Sequence, residues 1–222
     1  MNAIEQTITF NHDLALTFCQ VPSGAFTRGE RTVTLSKGFW MSKFPITQKQ
    51  WTTVMGSNPS VFKAAGLSSP VENVSWEDVH RFLSLAGSGL RLPSEAEWEH
   101  ACRGGTTTDY NVPGKSLEEL GWFLLNSGTT THPVGSKLPN SHGIHDCHGN
   151  VWEWCADWVG DYPDHDLLDP IGPDHGTLRV FRGGCWASEP WGCRSTTRYG
   201  SEPTYRDYSV GFRPVFSSHT CP

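Results

Sequence analysis

Seven cysteines and ten histidines carry the intrinsic redox and metal chemistry of this 222-residue chain. The cysteines (Cys19, Cys102, Cys147, Cys155, Cys185, Cys193 and Cys221) form no CxxC pair and no regular framework. An odd number without a secretory leader fits reduced thiols in a cytoplasmic protein, where a buried free thiol packs as a small hydrophobe. The densest grouping is His142, His145, Cys147, His148 and Cys155. Its spacing matches no standard zinc pattern, so surface and loop histidines are expected there. Glu153 lies between Trp152 and Trp154. A carboxylate wedged between indoles needs either a cation or an arginine, for instance Arg182 or Arg213.

A different chemistry is written into residues 186–208. Trp186, Trp191, Tyr199, Tyr205 and Tyr208 are interspersed there with Ser188, Glu189, Arg194, Thr196, Ser201, Glu202 and Asp207. Rigid amphipathic rings spaced by short polar groups suit a recognition surface for a protein or small-molecule ligand, because little entropy is lost per unit of contact area. The competing use of these rings is core packing, for Trp186 above all.

The elements that must position these groups declare themselves by their caps. Thr47 with Gln50, Ser75 with Asp78, and Ser94 with Glu97 each pair a capping hydroxyl with a side chain able to reach back three residues later. Each is followed by an apolar stripe and a closing glycine (Gly56, Gly87, Gly104), which predicts three short helices. Residues 32–35 and 39–43 read as strands about a Lys37-Gly38 turn. The alternation at 151–158 predicts a strand with one buried face, and 179–182 and 210–215 read as late core strands. Residues 104–146 and 160–178, rich in Gly, Pro, Asp, Thr and His, read as long ordered loops.

Composition narrows the function. A net charge of −6 with no Lys/Arg run excludes nucleic-acid binding driven by phosphate neutralisation. No apolar stretch is long enough for a membrane span, and the N-terminus shows no signal peptide. Gly 23, Pro 15 and Trp 10 suit a turn-rich fold with a rigid aromatic core, and the length suits one domain over residues 1–222.

Seven landmarks occur in one order: FTRG at 26–29, FWMSKFPITQKQW at 39–51, PVENVSWEDVHRF at 70–82, RLPSEAEWEHACRGG at 91–105, HPVGSKLPNSHGIHDCHGNVWEWCADW at 132–158, RVFRGGCW at 179–186 and VGFRPV at 210–215. Together they resemble the formylglycine-generating enzyme (sulfatase-modifying factor) family over a core of about residues 19–215. The resemblance implies an α+β, C-type-lectin-like fold with short β-sheets, a few short helices and abundant ordered loop. It also implies a copper(I) site at a cysteine three residues beyond RGGS and a second cysteine five residues later. In RGGCWASEPWGCRS the second falls on Cys193, and the first falls on Ser188. A hydroxyl cannot stand in for a thiolate on a soft ion. Cys185, at the Ser of RGGS, leaves a Cys185–Cys193 pair as the catalytic alternative for a copper-dependent oxidase.

The family's calcium site maps onto residues 149–154, with the Glu153 carboxylate and the carbonyls of His148, Gly149 and Val151 as donors. Its other calcium site is missing, since Trp122 stands where an Asn is expected. The 182–213 segment also resembles retroelement-diversified variable proteins, with Cys193, Arg194, Ser195, Arg198, Pro203 and Arg206 at that pattern's fixed places. The sequence therefore points to a non-catalytic ligand-binding protein, with the oxidase as the alternative.

Overall fold

The computed structural model describes residues 3–87 and 89–217; Cys221 lies outside them. Three capped helices form where the side chains demand them. They are α1 (Gln48–Met55), α2 (Trp76–Ala86) and α3 (Glu95–Arg103), each with a reciprocal capping box from Thr47/Gln50, Ser75/Asp78 and Ser94/Glu97. A fourth box, Ser116 with Glu119, opens the single turn α4 (Leu117–Leu120) inside the segment expected to be loop.

Eleven strands make three small sheets among the described residues. The first joins β1 (Glu5–Thr9), β2 (Ala15–Val21), β5 (Phe39–Ser42) and β11 (Val215–Ser217) in that order, all antiparallel. The second orders β10 (Val210–Gly211), β6 (Trp152–Trp158), β8 (Arg179–Arg182) and β9 (Arg198–Ser201). The third orders β3 (Gly24–Arg28), β4 (Arg31–Leu35) and β7 (Leu167–Leu168).

Three sequence expectations are corrected. Strands β4 and β5 both form but are not partners: β4 pairs with β3 and β7, β5 with β2 and β11, and residues 36–38 turn the corner between two sheets. Strand β6 is buried on both faces over its first four residues, because α3 covers the face opposite the main aromatic core. Residues 210–215 are two strands in different sheets, with Phe212, Arg213 and Pro214 crossing between them.

That crossing is pinned electrostatically. Arg213, fully buried, donates from Nε to Glu153 Oε2 and from Nη2 to Glu153 Oε1, both at 2.6 Å. It also reaches the carbonyls of Ser42, Lys43 and His145 at 3.3, 3.4 and 2.8 Å. Trp98 Nε1 on α3 donates to the same Glu153 Oε2 at 2.6 Å. A second buried guanidinium, Arg182, donates to Glu95 and Glu99 on α3 and to the carbonyls of Ser195 and Thr196. Removing one partner of such a pair leaves the other buried and uncompensated. Arg213→Met should lower unfolding free energy in urea by about 3–5 kcal/mol. Glu153→Gln added to it should cost much less than the sum of the two single changes.

Candidate functional site

The site begins where β8 ends. Arg182 is followed by Gly183 and Gly184 at φ 100° and 77°, a reversal that L side chains resist. A Cβ at residue 184 would stand 2.6 Å from Cys193 Sγ, so the Gly184 backbone closes directly over that sulfur. The chain then folds into a tight turn. Cys185 N donates to Ser188 Oγ at 2.9 Å, Ser188 N donates to Cys185 O at 3.0 Å, and the Cys185 sulfur lies 3.4 Å from the same hydroxyl. A 3-10 turn, Pro190–Cys193, follows.

Cys193 is fully buried in a small cluster with Leu117, Phe123 and Tyr110. Burial pushes its thiol far up, and charge on Cys185 would raise it further. Burial also pushes Cys185 up, with the Ser188 hydroxyl opposing. The position where the resemblance expects the first copper cysteine thus holds a hydroxyl that serves the local turn, a harder donor than a thiolate.

Beside the turn lies a cavity of about 400 Å³. Trp152, Phe181 and Tyr199 wall it with rings 5.2–6.4 Å apart. Cys185, Ser188, Glu189, Trp191, Tyr205 and Ser209 complete it. Five residues expected to contact a ligand therefore meet here: Ser188, Glu189, Trp191, Tyr199 and Tyr205. Trp191 and Tyr199 are about half exposed, and Tyr205 is exposed at its edge.

The other expected contacts go elsewhere. Trp186 is buried against Phe62 and Tyr208, with Nε1 donating to Tyr208 O at 3.2 Å, which is the core use. Tyr208 is exposed on the far side of that indole. Asp207 accepts from the Ser209 backbone and hydroxyl, and Arg194 pairs with Asp109 at the surface. Thr196 and Glu202 are exposed and Ser201 pairs with Arg179 in the sheet, all outside the cavity lining. Trp152 and Phe181 are the walls that spacing alone missed. Their alternation was visible, but only the β6–β8–β9 order sets them beside Tyr199.

Near Glu153 the expected donors are also rearranged. Both its oxygens are taken by Arg213 and Trp98, so it offers no free carboxylate to calcium. Asp146 does: it is buried, Oδ2 accepts from Gly135 N at 2.7 Å, and Oδ1 has no partner. Burial raises the Asp146 carboxyl to about 6, with Gly135 and Arg213 opposing. Glu153 is thus committed to Arg213 and Trp98, the arginine partnership that the sequence also offered.

His148, rather than lying on the surface, is fully packed between a donor and an acceptor. Asn111 N donates to Nε2 at 3.1 Å, and Nδ1 donates to Cys193 O at 2.7 Å, which fixes the neutral tautomer. Burial holds its pKa down at about 4. His145 Nδ1 donates to Lys137 O, and His142 lies near His100. Among the described residues no group of three or more His, Cys, Asp or Glu side chains is placed to hold a metal ion.

Comparison with known proteins bears on the whole of this arrangement. The model of the sulfatase-modifying factor enzyme 1-like domain matches residues 10–218. The formylglycine-generating enzyme of Streptomyces coelicolor is 36% identical over 163 residues, covering 65% of this chain and 51% of that protein. The chain thus spans about half the length of that relative. The chaperone protein LppX of Paenibacillus barcinonensis is 30% identical over 241 residues, covering 81% and 80%. In solved structures, Treponema denticola variable protein 1 superposes with a TM-score of 0.87 at 28% identity, over 96% of this chain and 99% of that one.

All six described cysteines are free and buried. In a Cys221→Ser variant, Ellman's reagent at pH 7.5 should therefore find no fast-reacting thiol until denaturant is added, when all six should react. A rapid phase in the native protein would show that Cys185 or Cys193 is an accessible thiolate.

Proposed function

Since the chain belongs to the sulfatase-modifying factor family, that of the formylglycine-generating enzymes, we propose that it uses this scaffold as a non-catalytic ligand-binding protein. The observation that carries the reading is Ser188. It holds the place of a copper thiolate and spends its hydroxyl on the Cys185 backbone. Beside it, the Trp152–Phe181–Tyr199 wall and the exposed Trp191 and Tyr205 supply rigid contact area with a polar rim of Ser188, Glu189 and Ser209. A cavity of about 400 Å³ suits a small molecule or one projecting side chain of a protein partner. The likeness to Treponema denticola variable protein 1 supports a binding use of the scaffold.

The alternative, a copper-dependent oxidase using Cys193 with Cys185, draws on one observation: the two thiols lie within electrostatic reach of each other. Copper would supply oxygen chemistry there. A copper(I) titration against a competing chelator separates the readings. The wild-type chain should bind copper(I) at least a hundredfold more weakly than Ser188→Cys, which restores the missing sulfur. Tight wild-type binding that disappears in Cys193→Ala would establish the oxidase instead.

Calcium belongs to the same proposal, with the Asp146 carboxylate and the carbonyls of His148, Gly149 and Val151 as its donors. Without the ion, a carboxyl held at about 6 favours the protonated fold. Its contribution is full below about pH 4 and is lost as pH rises through 6. A bound cation reverses that sign. Millimolar calcium should therefore raise the melting temperature at pH 7.5, do little at pH 5, and do nothing in Asp146→Asn. A melting curve at pH 7.5 that ignores both calcium and chelator would remove the ion from the reading.

A further inference from the structure

A second cavity, of about 390 Å³, shares no lining residue with the first. The two lie on opposite faces of one sheet: on β9, Tyr199 lines the first and its neighbour Arg198 lines the second. The walls are apolar and come from the 160–173 loop, with Pro163, Leu167, Pro170, Ile171 and Pro173. The floor is polar. Asp157, 4% exposed, accepts from Glu95 N with Oδ2 at 2.8 Å, which ties it to the first turn of α3. Its Oδ1 lies beside Gly172. Gly172 is at φ 73°, and a Cβ there would come within 3.0 Å of the Asp157 side chain, so the position is held to glycine.

Charge decides what the space would take. The arginines on the lining are already engaged. Arg28 pairs with Glu99 at 2.9 Å and Arg198 with Glu95 at 3.1 Å, and both guanidiniums lie over the Tyr162 ring. Tyr162 in turn donates its hydroxyl to Glu95 Oε1. Asp157 and the exposed Asp161 form no ion pair among the described residues, although the charges of Arg28 and Arg179 reach Asp157. We propose that this cavity is a second ligand site, taking a small organic amine on an apolar body, with the ammonium donating to Asp157 Oδ1 and the hydrocarbon against Ile171 and the prolines.

Proton linkage gives the site a signature. Burial holds the Asp157 carboxyl up at about 7, helped by the charges of Glu95 and Glu97 and opposed by the Glu95 N–H and Arg28. Around it stand Arg28 on β3, Glu95 and Glu97 on α3, Arg179 on β8, Arg198 on β9, and Asp161 and Tyr162 on the loop. An ammonium binds the ionised carboxylate, so a proton leaves as the amine enters. Affinity should then fall about tenfold from pH 8 to pH 6, while the amine itself stays protonated.

The test is calorimetry on the full chain with phenethylamine, its neutral analogue 2-phenylethanol and the anion phenylacetate. The amine should bind best, release a proton near pH 7, and lose at least tenfold in affinity in Asp157→Asn, which keeps an acceptor for Glu95 N. Should that variant fail to fold, Ile171→Lys, at an exposed wall position, should reject the amine with an unchanged melting temperature. Amine and alcohol binding equally, phenylacetate binding tighter, no binding by the wild type, or full binding in Ile171→Lys would each overturn the proposal. Binding at the first cavity would survive Ile171→Lys but not Trp191→Ala, so the two sites fail separately.

Discussion

A fold made mainly of loop must satisfy its buried carbonyls without a continuous ladder, and here two buried guanidiniums carry much of that duty. Arg213 serves Glu153 and three carbonyls from two segments; Arg182 serves two carboxylates and two carbonyls. Arginine suits the task because its planar fork offers several donors that never lose their charge. Each guanidinium holds together pieces that share no hydrogen-bonded strand. Arg213 joins the end of β5 to β6, and Arg182 joins β8 to α3 and to the segment after Cys193.

These arginines also separate stability from chemistry. Ser188 takes part in neither the buried ion pairs nor the aromatic core, where Trp51 stacks on Phe82 and Phe212 stands edge-on to both. A change from thiol to hydroxyl at 188 therefore removes a soft ligand while leaving the supports of the fold in place. The hydroxyl even serves the turn, because an oxygen accepts the Cys185 N–H better than sulfur does. Such a scaffold can lose a reaction and keep its shape, which is why membership of the family settles the architecture and leaves the activity to the site.

How much was legible in the sequence depended on the range of the interaction that decides each element. The three longer helices could be read because their caps act within three residues and their glycines stand at the next turn. The Ser116–Glu119 box obeys the same rule but spans one turn, with no stripe to announce it. Pairing was less legible. Strands β4 and β5 have the right residues for a hairpin, yet β4 closes a hairpin with the preceding β3 and adds the distant β7, while β5 lies between β2 and the distant β11. Glu153 was recognised as needing a counterion, and Arg213 was one of the candidates. What the chain could not announce was that the same arginine would take both oxygens, leaving Asp146 with the free one. Cavity residues divide the same way: the rim lay in one contiguous stretch, whereas Trp152 and Phe181 reach it only through sheet order.

The two cavities follow from the second sheet being covered differently on its two faces. A strand places successive side chains on opposite sides, so Tyr199 and Arg198 must diverge, and so must Phe181 and Arg182. On one face the rings meet the 185–192 turn, where Cys185, Ala187, Ser188 and Gly192 leave space against Trp152. On the other face Arg182, Glu95 and Glu99 form a charged layer that the proline-rich segment at 160–173 covers, with Gly172 over Asp157. On the second face Gly172, at φ 73°, cannot carry a side chain into the void without meeting Asp157, so the backbone that closes that segment adds no side chain to its cavity.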